Sequence, residues 1–178
     1  VLRALREEEG FVFLDIGGEM TDIVIAHADG FRWHGSMPHG AHSFENSVAA
    51  TVGGADGVAS RVTLYVKGVL SPEEARAVDP AFARAATDFN TQLDALFNAA
   101  VEETPIPRAL FVMAEPEELL WFEKVLEERG EIFPARIIPI APSFFQSAVT
   151  LGSESRYDAF LEMEAIFFHT DEAELLVL

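Results

Sequence analysis

The sequence contains no cysteine, which excludes disulfides and thiolate metal sites and suits a reducing compartment such as the cytoplasm. It is poor in positive charge. Lys+Arg number 12 against 30 Asp+Glu, leaving a formal net charge of -18. A surface so acidic does not bind nucleic acid or an anionic membrane through its bulk, so any phosphate site has to be local and made largely of backbone. Long hydrophobic runs are absent too, and no uninterrupted apolar segment approaches the length that crosses a bilayer. There is no internal repeat and no low-complexity tract.

What is present is globular: 178 residues, 49% hydrophobic and 24% charged, enough for one domain with a substantial core. The stretch FVFLDIGGEMTDIVIAH, residues 11–27, organises the reading. Two short apolar runs, Phe11–Leu14 and Ile23–Ala26, flank a Gly17-Gly18 turn and read as antiparallel buried strands. Glycines without a Cβ let the backbone approach a ligand closely and aim N–H groups at an anion. Asp15 at the strand end is placed to hold a metal or a water, and Thr21 to give a hydroxyl to a phosphate oxygen.

After an Ala28-Asp29-Gly30 hairpin turn, GFRWHGSM alternates Phe31 and Trp33 against Arg32 and His34, an edge strand that completes a three-stranded meander to Met37. Pro38–Ser43 turns the chain into a helix, with Ser43 as N-cap and Phe44 and Val48 inward. Residues 51–60 read as a flexible, glycine-rich connection, and Val62–Leu70 as an apolar segment of either type, so 51–70 is expected to be irregular. Ser71-Pro72-Glu73-Glu74 is a capping box that opens a helical region, 71–104, and Asp79-Pro80 repeats the start signal for its longer helix. Phe82, Ala86, Phe89, Leu93, Leu96, Phe97 and Ala100 form one stripe there, which reads as core rather than as a cofactor box.

Ala109–Met113 reads as a strand buried on both faces, and Pro116 opens a helix with Leu119, Phe122 and Leu126 inward and Gly130 at its end. With Ala135–Ile140 as the next strand this is a βαβ unit, so those two strands should be parallel. A closing helix over 158–169 is apolar nearly all round, and LRALREEEG at the start reads as the tail of an amphipathic helix, the mark of a piece of a longer protein.

Strand-strand-strand-helix followed by strand-helix-strand-helix resembles one lobe of the actin-like ATPase superfamily. DIGGEMTDIVI resembles that superfamily's second phosphate motif, and PHGAHSFENSVA the helix start of proteins such as the cell-division protein FtsA and the type IV pilus protein PilM. The resemblance implies an α/β, actin-like (ribonuclease H-like) lobe over residues 1–178. Its sheet would be mixed and five-stranded, an antiparallel meander followed by parallel strands with helices packed on it. It implies the second lobe of a two-lobed protein that clasps ATP with Mg²⁺. Asp15 would then be the catalytic and water-mediated metal residue, and Gly17, Gly18, Thr21 and Gly40 the phosphate-side residues. The adenosine-side turn would fall at Ala114 and Glu115, where the family carries a Gly-Gly pair and this chain carries an anionic side chain. The first phosphate motif is missing with the first lobe, so ATP hydrolysis by this chain alone is not expected. The resemblance further implies protein partners in a membrane-associated assembly, self-association, and a cytoplasmic place at the inner face of the membrane.

A second reading stays open: a degenerate actin-like scaffold that kept the fold and lost the nucleotide. His34, His39 and His42 do not share a helical face and read as turn and surface histidines rather than metal ligands. Glu7-Glu8-Glu9 and Glu115-Glu117-Glu118 read as solvated helix ends, and no nucleophile elbow accompanies Ser36, Ser43 or Ser47.

Overall fold

The computed structural model describes residues 10–54, 56–129 and 136–140, so the expected N-terminal helix tail, the Gly130 cap and the closing helix lie outside the described residues. Its strands are β1 (Phe11–Ile16), β2 (Thr21–His27), β3 (Gly30–Met37), β4 (Ala109–Met113) and β5 (Arg136–Pro139). They form one sheet in the order β3-β2-β1-β4-β5. β1 pairs antiparallel with β2, and β2 with β3, whereas β4 runs parallel to both β1 and β5. The meander and the βαβ unit are therefore both present, joined through β1 at the middle of the sheet.

The helices are α1 (Ala41–Val52), α2 (Val58–Val66), α3 (Pro72–Val101) and α4 (Pro116–Glu127). Side chains alternate along β1 and β2, so Val12, Leu14, Ile16, Ile23 and Ile25 all enter the face that packs on the helices. Phe44 of α1 is the hub of that core, with ring centroids 5.3 Å from Phe82 of α3 and 5.5 Å from Phe122 of α4. The opposite face carries a smaller apolar cluster, in which Phe11 and Phe111 meet edge to face at 5.7 Å. β4 is buried at every position because it contributes to both clusters.

Four local expectations are corrected. Residues 51–70 are mostly helical: α1 ends at Gly53 in a left-handed conformation (φ 83°), and Gly57 (φ 70°) leads straight into α2. Helical period puts Val58, Val62 and Thr63 inward, and the Thr63 hydroxyl accepts a 3.0 Å bond from the Trp121 indole of α4. Asp79-Pro80 starts no new helix. The Ser71 capping box forms as expected, and α3 then runs on through Pro80. The missing N–H at Pro80 costs one helical bond, but Ala81, Phe82 and Ala85 immediately after it are almost fully buried and hold the helix to the core. Phe31 is 63% exposed while Trp33 is buried, because a register shift at Ile25/Ala26 sets Ala26 opposite Phe31 and Ile25 opposite Trp33. Arg32 is the extra residue of this bulge, and it throws Phe31 onto the other side. Finally, α1 is capped by Gly40 and not by Ser43, for a reason that lies in the β1–β2 turn.

Candidate functional site

β1 and β4 run parallel as neighbours, so the connections that follow them emerge at the same end of the sheet, with Asp15 beside Met113. At that end the β1–β2 turn closes with Gly17 N–H donating to the Met20 carbonyl at 2.9 Å. The chain returns to it from β3. Ala41 N–H donates to the Gly17 carbonyl at 2.9 Å and His42 N–H to the Gly18 carbonyl at 2.8 Å. Two of the orphan donors of the α1 N-terminus are thus satisfied by turn carbonyls, which is why no side-chain cap at Ser43 is needed.

Gly40 makes this approach possible. A Cβ there would lie 2.2 Å from the Gly17 oxygen and 2.6 Å from the Gly18 oxygen, although its φ of -117° is open to any residue. The requirement is space, not conformation. Thr21 adds a further tie: it is fully buried and its hydroxyl donates to the His39 carbonyl at 2.7 Å. That corrects the expectation of a phosphate-facing hydroxyl, since Thr21 points into the core face and holds the segment before α1 in place.

Because the turn's carbonyls face α1, three of its amides are left over. Among the described residues, the N–H groups of Gly18, Glu19 and Met20 meet no acceptor, and those of Gly18 and Glu19 lie at its tip. Gly17 has spent its own, so Gly17 shapes the turn rather than offering a donor. His42 folds back onto Gly18, where a Cβ would come within 2.8 Å of the imidazole Cε1. Its Nδ1 lies 3.0 Å from Glu19 Oε1.

The electrostatics are unusual for so small an area. Asp15 faces Asp22 across the hairpin, and Asp22 accepts a hydrogen bond from Ser36. Burial, with the Asp22 charge in support, pushes the Asp15 carboxyl up to about 6. Glu118, half-buried at the start of α4, is also raised, first by burial and then by Glu115, Glu45 and Glu117. The Glu19 contact raises His42, helped by Glu118 and Glu45. Ala114 is buried, whereas Glu115 is exposed and stands at the N-cap of α4 without a side-chain capping bond. The side chain lying against the glycine turn is that of His42, not Glu115. Sequence reasoning missed this role of His42; its one signal was a position two residues beyond Gly40.

The other histidines part company. His39 is buried, not superficial: Gln92 Nε2 lies 2.7 Å from its Nδ1 and Phe89 packs on its ring, and burial lowers its pKa. His34 stays exposed beside Asp22 at 3.8 Å. Among the described residues no group of three or more His, Asp or Glu side chains is placed to hold a metal ion. No described helix is long and apolar enough to cross a membrane.

Comparison with known proteins bears on this geometry through the fold. The sequence matches no family model and no curated protein. Among solved structures, the chain is similar to one from a PilM–PilN type IV pilus biogenesis complex, with a TM-score of 0.54, 16% identity, and 92% of this chain covering 46% of that one. It is also similar to apo ParM of pSK41 (TM-score 0.53, 13% identity, covering 78% of this chain and 38% of that one). A third likeness is to the archaeal actin homologue Ta0583 (TM-score 0.51, 12% identity, covering 77% and 44%). The chain therefore has the fold of an actin-like lobe, and it spans less than half the length of each of these proteins.

Proposed function

We propose that this chain is the nucleotide-facing lobe of an actin-like assembly protein, with the β1–β2 turn as its phosphate site. The observation that carries the reading is the interlock at Gly40, which turns the carbonyls of Gly17 and Gly18 inward and leaves the Gly18 and Glu19 amides open. Open amides on a glycine turn are suited to phosphate oxygens. Asp15 suits a hard cation held through water, since a divalent ion would offset both the burial of its carboxylate and the Asp22 charge that oppose its ionisation. When bound, Mg²⁺ would supply neutralisation of phosphate charge. Gly17, Gly40 and Thr21 serve this site by shaping it, and Ala114 and Glu115 border its adenosine side.

Hydrolysis is assigned to a two-lobed protein and not to this lobe unaided. By analogy with the solved PilM–PilN complex, we propose that the protein works with protein partners, and the resemblance to the superfamily extends the proposal to an assembly at the cytoplasmic face of a membrane. A specific observation favours a second reading, a scaffold without nucleotide. The carboxylates of Glu19, Glu45, Glu115, Glu117 and Glu118 interact electrically around His42 and Glu118, and all of them repel a polyphosphate.

Calorimetry of ATP with Mg²⁺ on the full-length protein separates the two. Saturable, Mg²⁺-dependent binding that Asp15→Ala abolishes supports the nucleotide site, and absence of binding heat leaves the scaffold.

A further inference from the structure

The phosphate reading leaves one side chain at the turn without a role. Neither the turn (residues 15–22), nor α1, nor the first eight residues of α4 contains a lysine or arginine. Among the described residues of these segments, the side chain able to carry positive charge at the Gly18 and Glu19 amides is His42, whereas His34 lies beside Asp22 on β3. Its imidazole lies against Gly18, with Cε1, Nδ1 and Nε2 at 2.8, 3.0 and 3.3 Å from where a Gly18 Cβ would be. Nδ1 is taken by Glu19, and the side chain is 58% exposed. Nε2 makes no hydrogen bond among the described residues.

We infer that His42 is the anion-contacting side chain of this site, and that Glu19 positions it by holding Nδ1 so that Nε2–H is offered beside the open amides. The inference rests on the phosphate reading of the turn and adds a specific, titratable residue to it. The chemistry is directional. As an imidazolium, His42 donates from both nitrogens, one to Glu19 and one to the anion. As a neutral ring with its proton held on Nδ1 by Glu19, it would present the Nε2 lone pair to the anion and repel it.

The charged groups that bear on the ring are Glu19 from the turn, Glu45 from α1 and Glu118 from α4. All three favour the imidazolium and raise His42. Anion binding is therefore present below the raised His42 pKa and lost as pH rises through it. The carboxylates that make the surroundings hostile to phosphate also favour the charged form of His42.

The test uses sulfate, whose charge does not change over the range, and Mg²⁺-ATP, both titrated into the full-length protein with histidine side-chain NMR as readout. Sulfate is expected to shift the His42 ring signals and to bind more weakly at about pH 8 than at about pH 6. His42→Gln should weaken sulfate binding about tenfold at the lower pH, the size of one charge-assisted hydrogen bond, and flatten the pH dependence. Glu19→Gln should lower the His42 pKa, a change that a merely packing role for Glu19 would not cause. If Mg²⁺-ATP binds but His42→Gln changes neither affinity nor pH dependence, the role of His42 falls and the phosphate reading stands. If neither sulfate nor Mg²⁺-ATP binds at any pH, both fall together.

Discussion

Two connections leave the same end of the sheet and are built in opposite ways. After β1 the chain makes a glycine turn that meets the start of α1 backbone to backbone, with no side chain between Gly40 and the Gly17 and Gly18 carbonyls. After β4 it passes through Ala114-Glu115-Pro116 into α4, whose N-cap residue Glu115 makes no side-chain cap and whose opening turn carries Glu117 and Glu118. The first junction is tight because Gly40 lacks a Cβ, and its closeness fixes which amides remain open. The second is charged and lacks a side-chain cap, and its carboxylates bear on the first through His42 and Glu118. This end of the sheet thus joins a backbone interlock to a cluster of carboxylates.

The contrast can be broken most severely at Gly40. Replacing it with alanine places a methyl against two backbone oxygens that cannot rotate away, and should cost about 3 kcal/mol in denaturant unfolding, at the upper end of overpacking costs. Near-neutral behaviour of Gly40→Ala would mean that the two junctions are not so different after all.

Asp15 provides a test that pH can read. Its folded-state pKa is raised from the ordinary 3.8 to about 6, so the native state holds this proton more tightly than the unfolded chain does. The Asp15 contribution to stability is therefore most favourable below about 3.8, declines as pH rises toward about 6, and is constant above that. Asp15→Asn should remove this decline, so the difference in urea midpoint between variant and wild type grows across that window and then levels off. A parallel pH profile for the two proteins would show that Asp15 is not desolvated as described.

The smallest effect is expected at the β4–α4 junction. Glu115→Ser supplies the missing N-cap of α4 and removes a carboxylate that raises Glu118, for a gain of about 0.5–1 kcal/mol in thermal unfolding. A loss instead would imply that Glu115 makes a contact that matters.

Much of this architecture was legible along the chain. The short apolar runs of β1 and β2, the capping box at Ser71 and the Phe82–Ala100 stripe are local patterns, and each forms as read. The misreadings arose where distant residues overruled a local rule. Ser43 is a good N-cap in isolation, yet the turn carbonyls reach the helix start first. Pro80 is a good helix start, yet α3 is already under way and burial of its neighbours carries it through. Phe31 alternates correctly with Trp33 until a bulge takes up Arg32. At the site, Asp15 and the glycines were visible as a motif, whereas the inward Thr21 hydroxyl and the returning His42 were not.

The amino-acid order alone set the strands, the helix faces and the glycine positions, because hydrophobic period and the absence of a Cβ act within a few residues. Which amides stay open, which histidine is buried and which lies on the turn were decided only when α1 came back across the end of β1. That approach joins residues some twenty positions apart, from Gly18 to His42 and from Thr21 to His39, and the hydrogen bonds that fix it exist only once the sheet and its helices have packed.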